Sequence, residues 1–249
     1  MLLLQLPGFA EKMREAACLS NKKRPQALLL NMRLRALCLA GVTVVSMFIC
    51  GCGAVRYPNY YELSTPTPIA RGAGSPHLMP SVAVRQFDAP PFLQIGPIAY
   101  RESAERLGFY PYDRWAVDPR RSATGTMISD LQAAGLFRSV GLFDGRTAPE
   151  WVVTGSIEHL EEVDQGKRVS TDVRITADLT DFRTGEILWH GAASSDAVVE
   201  QRSVSGVVSQ LSLGLGSAVQ ELASSIEDQV RSLPSRTSLL TQPNSSNVP

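Results

Sequence analysis

All four cysteines of this 249-residue chain, Cys18, Cys38, Cys50 and Cys52, fall within its first 52 positions. Whatever folds after Cys52 must do so without a disulfide framework, a cysteine metal site or a cysteine nucleophile. Its stability has to come from an apolar core. Cys52 closes a pattern that begins at Met32: a basic stretch Met32-Arg33-Leu34-Arg35, an apolar run over residues 36–49, then Ile49-Cys50-Gly51-Cys52. That run is shorter than the ~20 residues a helix needs to cross a bilayer, and its length and flanks suit a cleaved signal. A small residue before the cysteine is what a lipoprotein signal peptidase requires, cutting between Gly51 and a lipidated Cys52. A signal cut elsewhere, or a short uncleaved anchor, fits Gly51-Cys52-Gly53 less well.

The organisation expected from this reading has five parts. Residues 1–31 are an extended n-region or lie upstream of the true initiator Met32, and residues 32–51 are the signal peptide. Residues 52–80, rich in Pro, Gly, Ser and Thr, form the lipidated N-terminus and a tether. Residues 81–234 form one α/β domain, and residues 235–249 a polar tail with little to bury. No cofactor is expected beyond the covalent diacylglycerol and N-acyl chain on Cys52.

The whole chain is formally neutral, with 24 Lys plus Arg against 24 Asp plus Glu. Seven of those bases and two of those acids precede Cys52, so residues 52–249 carry 17 against 22, a net of −5. A mildly acidic mature protein lacks the electrostatic footprint of a nucleic-acid binder.

Residues 82–87 read as a strand ended by Asp88-Ala89-Pro90-Pro91. Residues 98–103 and 109–117 read as a hairpin, with Pro111 marking an edge or a bulge. Met127, Ile128, Leu131 and Ala134 then have helical spacing, with Pro119 suited to the first turn and Gly135 to the stop. A short strand over 137–143 and a longer one over 151–161 follow, the latter placing Val153, Gly155, Ile157 and His159 on one face. Two antiparallel strands, 169–179 and 186–194, are joined by Asp181-Phe182-Arg183-Thr184-Gly185. The last element is a long helix with one apolar stripe from Val204 to Val230. Gly214 and Gly216 interrupt it, a place for close packing. The fold class expected is an α/β (α+β) sandwich: a mostly antiparallel sheet with two amphipathic helices packed on one face.

Chemistry-bearing patterns are sparse. His77, His159 and His190 show no metal-ligand spacing, and no metal site is expected. Glu158, Glu161, Glu162 and Asp164 read as a solvated strand end. Leu213-Gly214-Leu215-Gly216-Ser217 has neither the preceding strand nor the lysine of a phosphate loop. No catalytic residues emerge, and an enzyme is not expected. The densest feature is aromatic: Phe109, Tyr110, Tyr112 and Trp115 lie within seven positions. Strict alternation puts Tyr110 and Tyr112 on one face and Phe109 and Trp115 on the other. One set would fill the core, and the other either packs there as well or forms a surface that contacts a partner or lipid.

Val82-Ala83-Val84-Arg85-Gln86-Phe87-Asp88-Ala89-Pro90-Pro91-Phe92-Leu93-Gln94 resembles the opening of the ABC-type transport auxiliary lipoproteins. Arg106-Leu107-Gly108-Phe109-Tyr110-Pro111-Tyr112-Asp113-Arg114-Trp115-Ala116 is similar to their aromatic signature. The Gly135-Leu136-Phe137-Arg138 step, the Tyr60-Tyr61 pair and the terminal helix also match. Asp118-Pro119 and the Gly-rich step in the last helix depart from the pattern and leave the subfamily open. The resemblance implies a non-enzymatic lipoprotein of a Gram-negative outer membrane, lipid-anchored and facing the periplasm. It would assist phospholipid transport with an inner-membrane permease, an ATPase and an Mce-domain protein. Gly53, where an Asp would favour inner-membrane retention, agrees with the outer membrane. Self-association into a homo-oligomer is left open. Residues 173–189 also look like a strand-turn-strand of TolB-like and curli-secretion-like envelope proteins. That gives the alternative of an activator of peptidoglycan synthesis or a secretion pore.

Overall fold

The computed structural model describes residues 55–70 and 80–233. The signal region with Gly51 and Cys52, together with His77 and residues 235–249, lies outside the described residues. Among the described residues, no helix is long and apolar enough to cross a membrane.

The elements run β1 (Asn59–Tyr61), β2 (Val82–Val84), α1 (Pro91–Gln94), β3 (Pro97–Arg101), β4 (Leu107–Trp115), α2 (Pro119–Ala134), β5 (Val140–Leu142), β6 (Trp151–Asp164), β7 (Val169–Asp181), β8 (Ile187–Val198) and α3 (Val204–Ser232). They build one eight-stranded sheet, and β6 is its spine. Along one edge β6 pairs antiparallel with β7 for its whole length, and β7 pairs with β8 in the same way. The other edge is shared. β2 lies parallel to the start of β6, Val82 opposite Trp151, and β3 lies parallel to its end, Tyr100 opposite Glu162. Backbone bonds from Arg85 N to Val153 O and from Ile157 N to Asp88 O, 2.8 and 2.9 Å long, carry the chain from one partner to the next. β5 extends the sheet beyond β2, and β4 and β1 extend it beyond β3. The sheet is thus mixed, with its parallel pairings confined to short strands beside β6 and at the edges.

Both long helices cover one face, and the core lies between. β7 alternates as its sequence requires: Val173, Ile175, Ala177 and Leu179 point into the core while Asp172, Arg174, Thr176 and Asp178 point away. Opposite them sit Met127 and Leu131 of α2 and Leu211, Leu215, Val219 and Ile226 of α3, all with no exposed surface. α2 starts where expected, its Asp118 side chain accepting from Arg120 N, and ends at Gly135 with φ 64°. Only glycine takes that left-handed conformation at little cost.

The glycine step in α3 is a contact with two neighbours. A Cβ on Gly214 would come within 3.0 Å of Val173 Cγ2, and one on Gly216 within 2.9 Å of Pro66 Cδ. Pro66 belongs to a segment whose composition reads partly as a tether. In the structure this segment contributes strand β1, buries Leu63, and crosses the helices. Ser64 N donates to Ser212 Oγ and Thr65 Oγ1 lies 2.9 Å from Thr126 Oγ1. Among the described residues, 55–70 therefore pack against the rest of the fold ahead of Pro80.

β6 holds the second departure from expectation. Ile157 pairs with Ile175 and His159 with Arg174, so Glu158 is an extra residue, a β-bulge. A one-residue insertion reverses which face each later side chain meets. His159 leaves the face of Val153 and Ile157, and Leu160 and Glu162 take its place.

Candidate functional site

The aromatic hairpin forms as β3 and β4, with a break in its ladder. Ala99 pairs with Phe109 but Pro97 pairs with Arg114, so five steps along β4 match two along β3. Pro111 sits in the unmatched stretch, where no ladder N–H is needed. The odd excess reverses the phase and overturns the expected division of the aromatics. Phe109 and Tyr112 are the exposed pair, and Tyr110 and Trp115 turn inward.

Trp115 is 6% exposed and packs in the core, and its indole nitrogen has no hydrogen-bond partner among the described residues. The Tyr110 ring meets that of Tyr100 at a tilt of 58° with centroids 5.2 Å apart, and its hydroxyl donates to Glu162 Oε2 at 2.6 Å. Gly108 makes room for that contact, since a Cβ there would lie 2.4 Å from the Tyr100 ring. Burial, and then the bond to Glu162, push the Tyr110 phenol well above its ordinary value. Burial likewise raises the Glu162 carboxyl, against the lowering effect of the Tyr110 bond. These two aromatics are structural.

Outward from them, β1 lies parallel to the end of β4, Tyr60 beside Arg114 and Tyr61 beside Trp115. Tyr61 packs on the core, so alternation turns Tyr60 to the helix-free face with Arg114 and Tyr112. Tyr60 is 64% and Tyr112 42% exposed. The Arg56 guanidinium lies 5.7 Å over the Tyr112 ring, a cation–π contact that ties the N-terminal approach to β4. Asn59 adds a hydrogen bond to Asp113, 2.9 Å.

The same face carries an ion network that sequence reading missed. Glu161 and Asp172 are directly opposite on β6 and β7, where like charges repel. Arg101 relieves this by donating through Nε and Nη2 to the two oxygens of Glu161, and His159 Nδ1 lies 2.6 Å from Asp172 Oδ2. Glu161 is fully buried and Glu162 nearly so, against the expectation of a solvated strand end. Their partners Arg101 and Tyr110 stand more than fifty positions away, and no local signal reveals them. His159, Glu161 and Asp172 could converge on a cation, but Arg101 already occupies both oxygens of Glu161. The cluster is an ion-pair network. A groove of about 540 Å³ between residues 62–68 and α2 is lined by Glu62, Thr65, Pro66, Arg121 and Thr126. Among the described residues, no histidine lines it.

A sequence model of the ABC-type transport auxiliary lipoprotein component family matches residues 61–226, from the last residue of β1 to well into α3. The fold is similar to that of protein XCC0632 from Xanthomonas campestris, a DUF330 structure. The TM-score is 0.61 at 11% identity, covering 70% of this chain and 97% of that one. A solved uncharacterized protein matches at TM-score 0.54 and 14% identity, over 69% of this chain and 99% of that one. At such identities the likeness speaks to the fold alone. No curated protein matches the sequence.

Proposed function

The chain belongs to the ABC-type transport auxiliary lipoprotein component family, and from that premise we propose that it is an outer-membrane lipoprotein acylated at Cys52. As an auxiliary component it is a non-enzymatic, membrane-anchored envelope protein that associates with an ABC-type transport system. In the finer reading its partners are an inner-membrane permease, an ATPase and an Mce-domain protein, and the cargo is phospholipid moving between the two membranes. The observation that carries this reading is the coincidence of one domain-long family match with an upstream Ile49-Cys50-Gly51-Cys52 signal. The sequence contains no nucleotide-binding motif, so energy for transport comes from a partner. The β7–β8 hairpin behind the secretion-pore alternative lies inside the family match and does not separate the two readings.

Deleting the gene should make cells sensitive to detergent and to large antibiotics, and complementation by the intact gene should restore resistance. A Cys52→Ala variant should accumulate as unlipidated, mislocalised precursor and fail to complement. Unchanged permeability and unchanged lipid asymmetry in the deletion strain would remove the phospholipid role.

A further inference from the structure

The six residues 53–58 separate Cys52 from β1, and part of that approach is held, because Arg56 sits over the Tyr112 ring. Four residue steps from Cys52 to Arg56, at ~3.3–3.6 Å each, span at most about 14 Å. A domain of this size is roughly 40 Å across, from a radius of gyration near 16 Å. An acyl-anchored Cys52 therefore leaves the β1–β4 edge little freedom to stand away from the membrane.

That edge exposes Tyr60, Phe109 and Tyr112 on the helix-free face, with Tyr57 beside them in sequence and 81% exposed. Arg56 and Arg114 add cationic groups among them. Rings with an apolar body and a polar tip suit the boundary between headgroups and acyl chains. Guanidinium groups suit phosphate oxygens, to which they donate in a planar fork. We propose that the β1–β4 edge docks on the bilayer that holds the anchor, Tyr60 and Tyr112 entering the headgroup layer and Arg56 and Arg114 meeting lipid phosphates. This rests on acylation at Cys52. The rest of the helix-free face would then stand at the membrane rim, and the helix face would point to the aqueous space.

Because the domain after Cys52 is cysteine-free, single probes can be placed on the otherwise intact mature lipoprotein. Tyr60→Cys, Tyr112→Cys and a control Thr184→Cys in the β7–β8 turn would each carry an environment-sensitive fluorophore. Each protein would be reconstituted in phosphatidylethanolamine–phosphatidylglycerol vesicles, with a lipid-borne quencher near the headgroup. The expected result is several-fold stronger quenching at 60 and 112 than at 184, with circular dichroism unchanged. Equal, weak quenching at all three sites would overturn the docking. So would quencher shielding that appears only on adding inner-membrane proteins, or disulfide-linked dimers formed under a mild oxidant by unlabelled Tyr112→Cys protein, which would mark a protein partner or a second copy. Intact mass separates the two levels: protein without acyl chains refutes the Cys52 reading, whereas acylated protein with unquenched probes refutes the docking alone.

Discussion

Helix α3 and strand β4 are both rich in large apolar side chains, yet their local sequences carry different amounts of information. In α3 the stripe from Val207 to Val230 is buried where 3.6-residue spacing places it. In β4 the same kind of inference fails, because three extra residues relative to β3 reverse the alternation between Phe109 and Arg114. A helix sets its own phase through bonds four residues apart. A strand takes its phase from a partner elsewhere in the chain. The consequence is functional: the break in β4 is what leaves Phe109 and Tyr112 outside while Tyr110 and Trp115 hold the sheet end.

The sharpest way to break that contrast is a pair of truncations. Leu215→Ala removes a side chain with no exposed surface and should cost about 2–5 kcal/mol in urea unfolding. Tyr112→Ser loses only the exposed contact with Arg56 and should cost no more than about 1 kcal/mol. Comparable losses at both would place Tyr112 in the core. Next in size is Arg101→Leu, which strands the buried Glu161 and should cost about 3 kcal/mol, at the low end for a broken buried pair because Arg101 is itself partly exposed. The double variant Arg101→Leu, Glu161→Leu should recover much of that loss, and strictly additive losses would show that the two residues are not coupled.

Two helix glycines give a smaller, opposite-signed pair. Gly125 in α2 has nothing within 4 Å of an added Cβ, so Gly125→Ala should stabilise by roughly 0.5–1 kcal/mol. Gly216→Ala gains the same propensity but drives a methyl onto Pro66, and should be neutral to about 1 kcal/mol destabilising. Equal stabilisation at both sites would mean that residues 64–66 do not hold the position described.

The smallest effect is in pH. Burial raises the Glu162 carboxyl in the folded protein, so the folded state binds more protons than the unfolded state above the ordinary Glu range. Stability from this group is fully present below ~4.3 and is lost as pH rises through the raised folded value. Glu162→Gln should flatten that part of the pH–stability curve. A curve of unchanged slope there would assign the dependence to other groups.

Most secondary structure could be read from local patterns: Pro119 and Gly135 bracket α2, Gly185 ends the turn before β8, and period two runs through β7. What escaped was non-local. Asn59, Tyr60 and Tyr61 are a strand only because β4 offers an edge. Glu158 is a bulge only in register with β7. Glu161 and Glu162 look solvated until Arg101 and Tyr110 arrive from the preceding hairpin. The aromatic edge was legible as a candidate surface from Phe109, Tyr110, Tyr112 and Trp115, but its composition was not. Trp115 and Tyr110 leave it, while Tyr57 and Tyr60 join it.

The central claim concerns the company this lipoprotein keeps, and in-cell crosslinking of the tagged, acylated protein followed by mass spectrometry tests it most directly. An Mce-domain protein or an ABC permease among the leading crosslinked partners is the expected result. Recovery of a cell-wall synthase, or only of further copies of the chain itself, would contradict it.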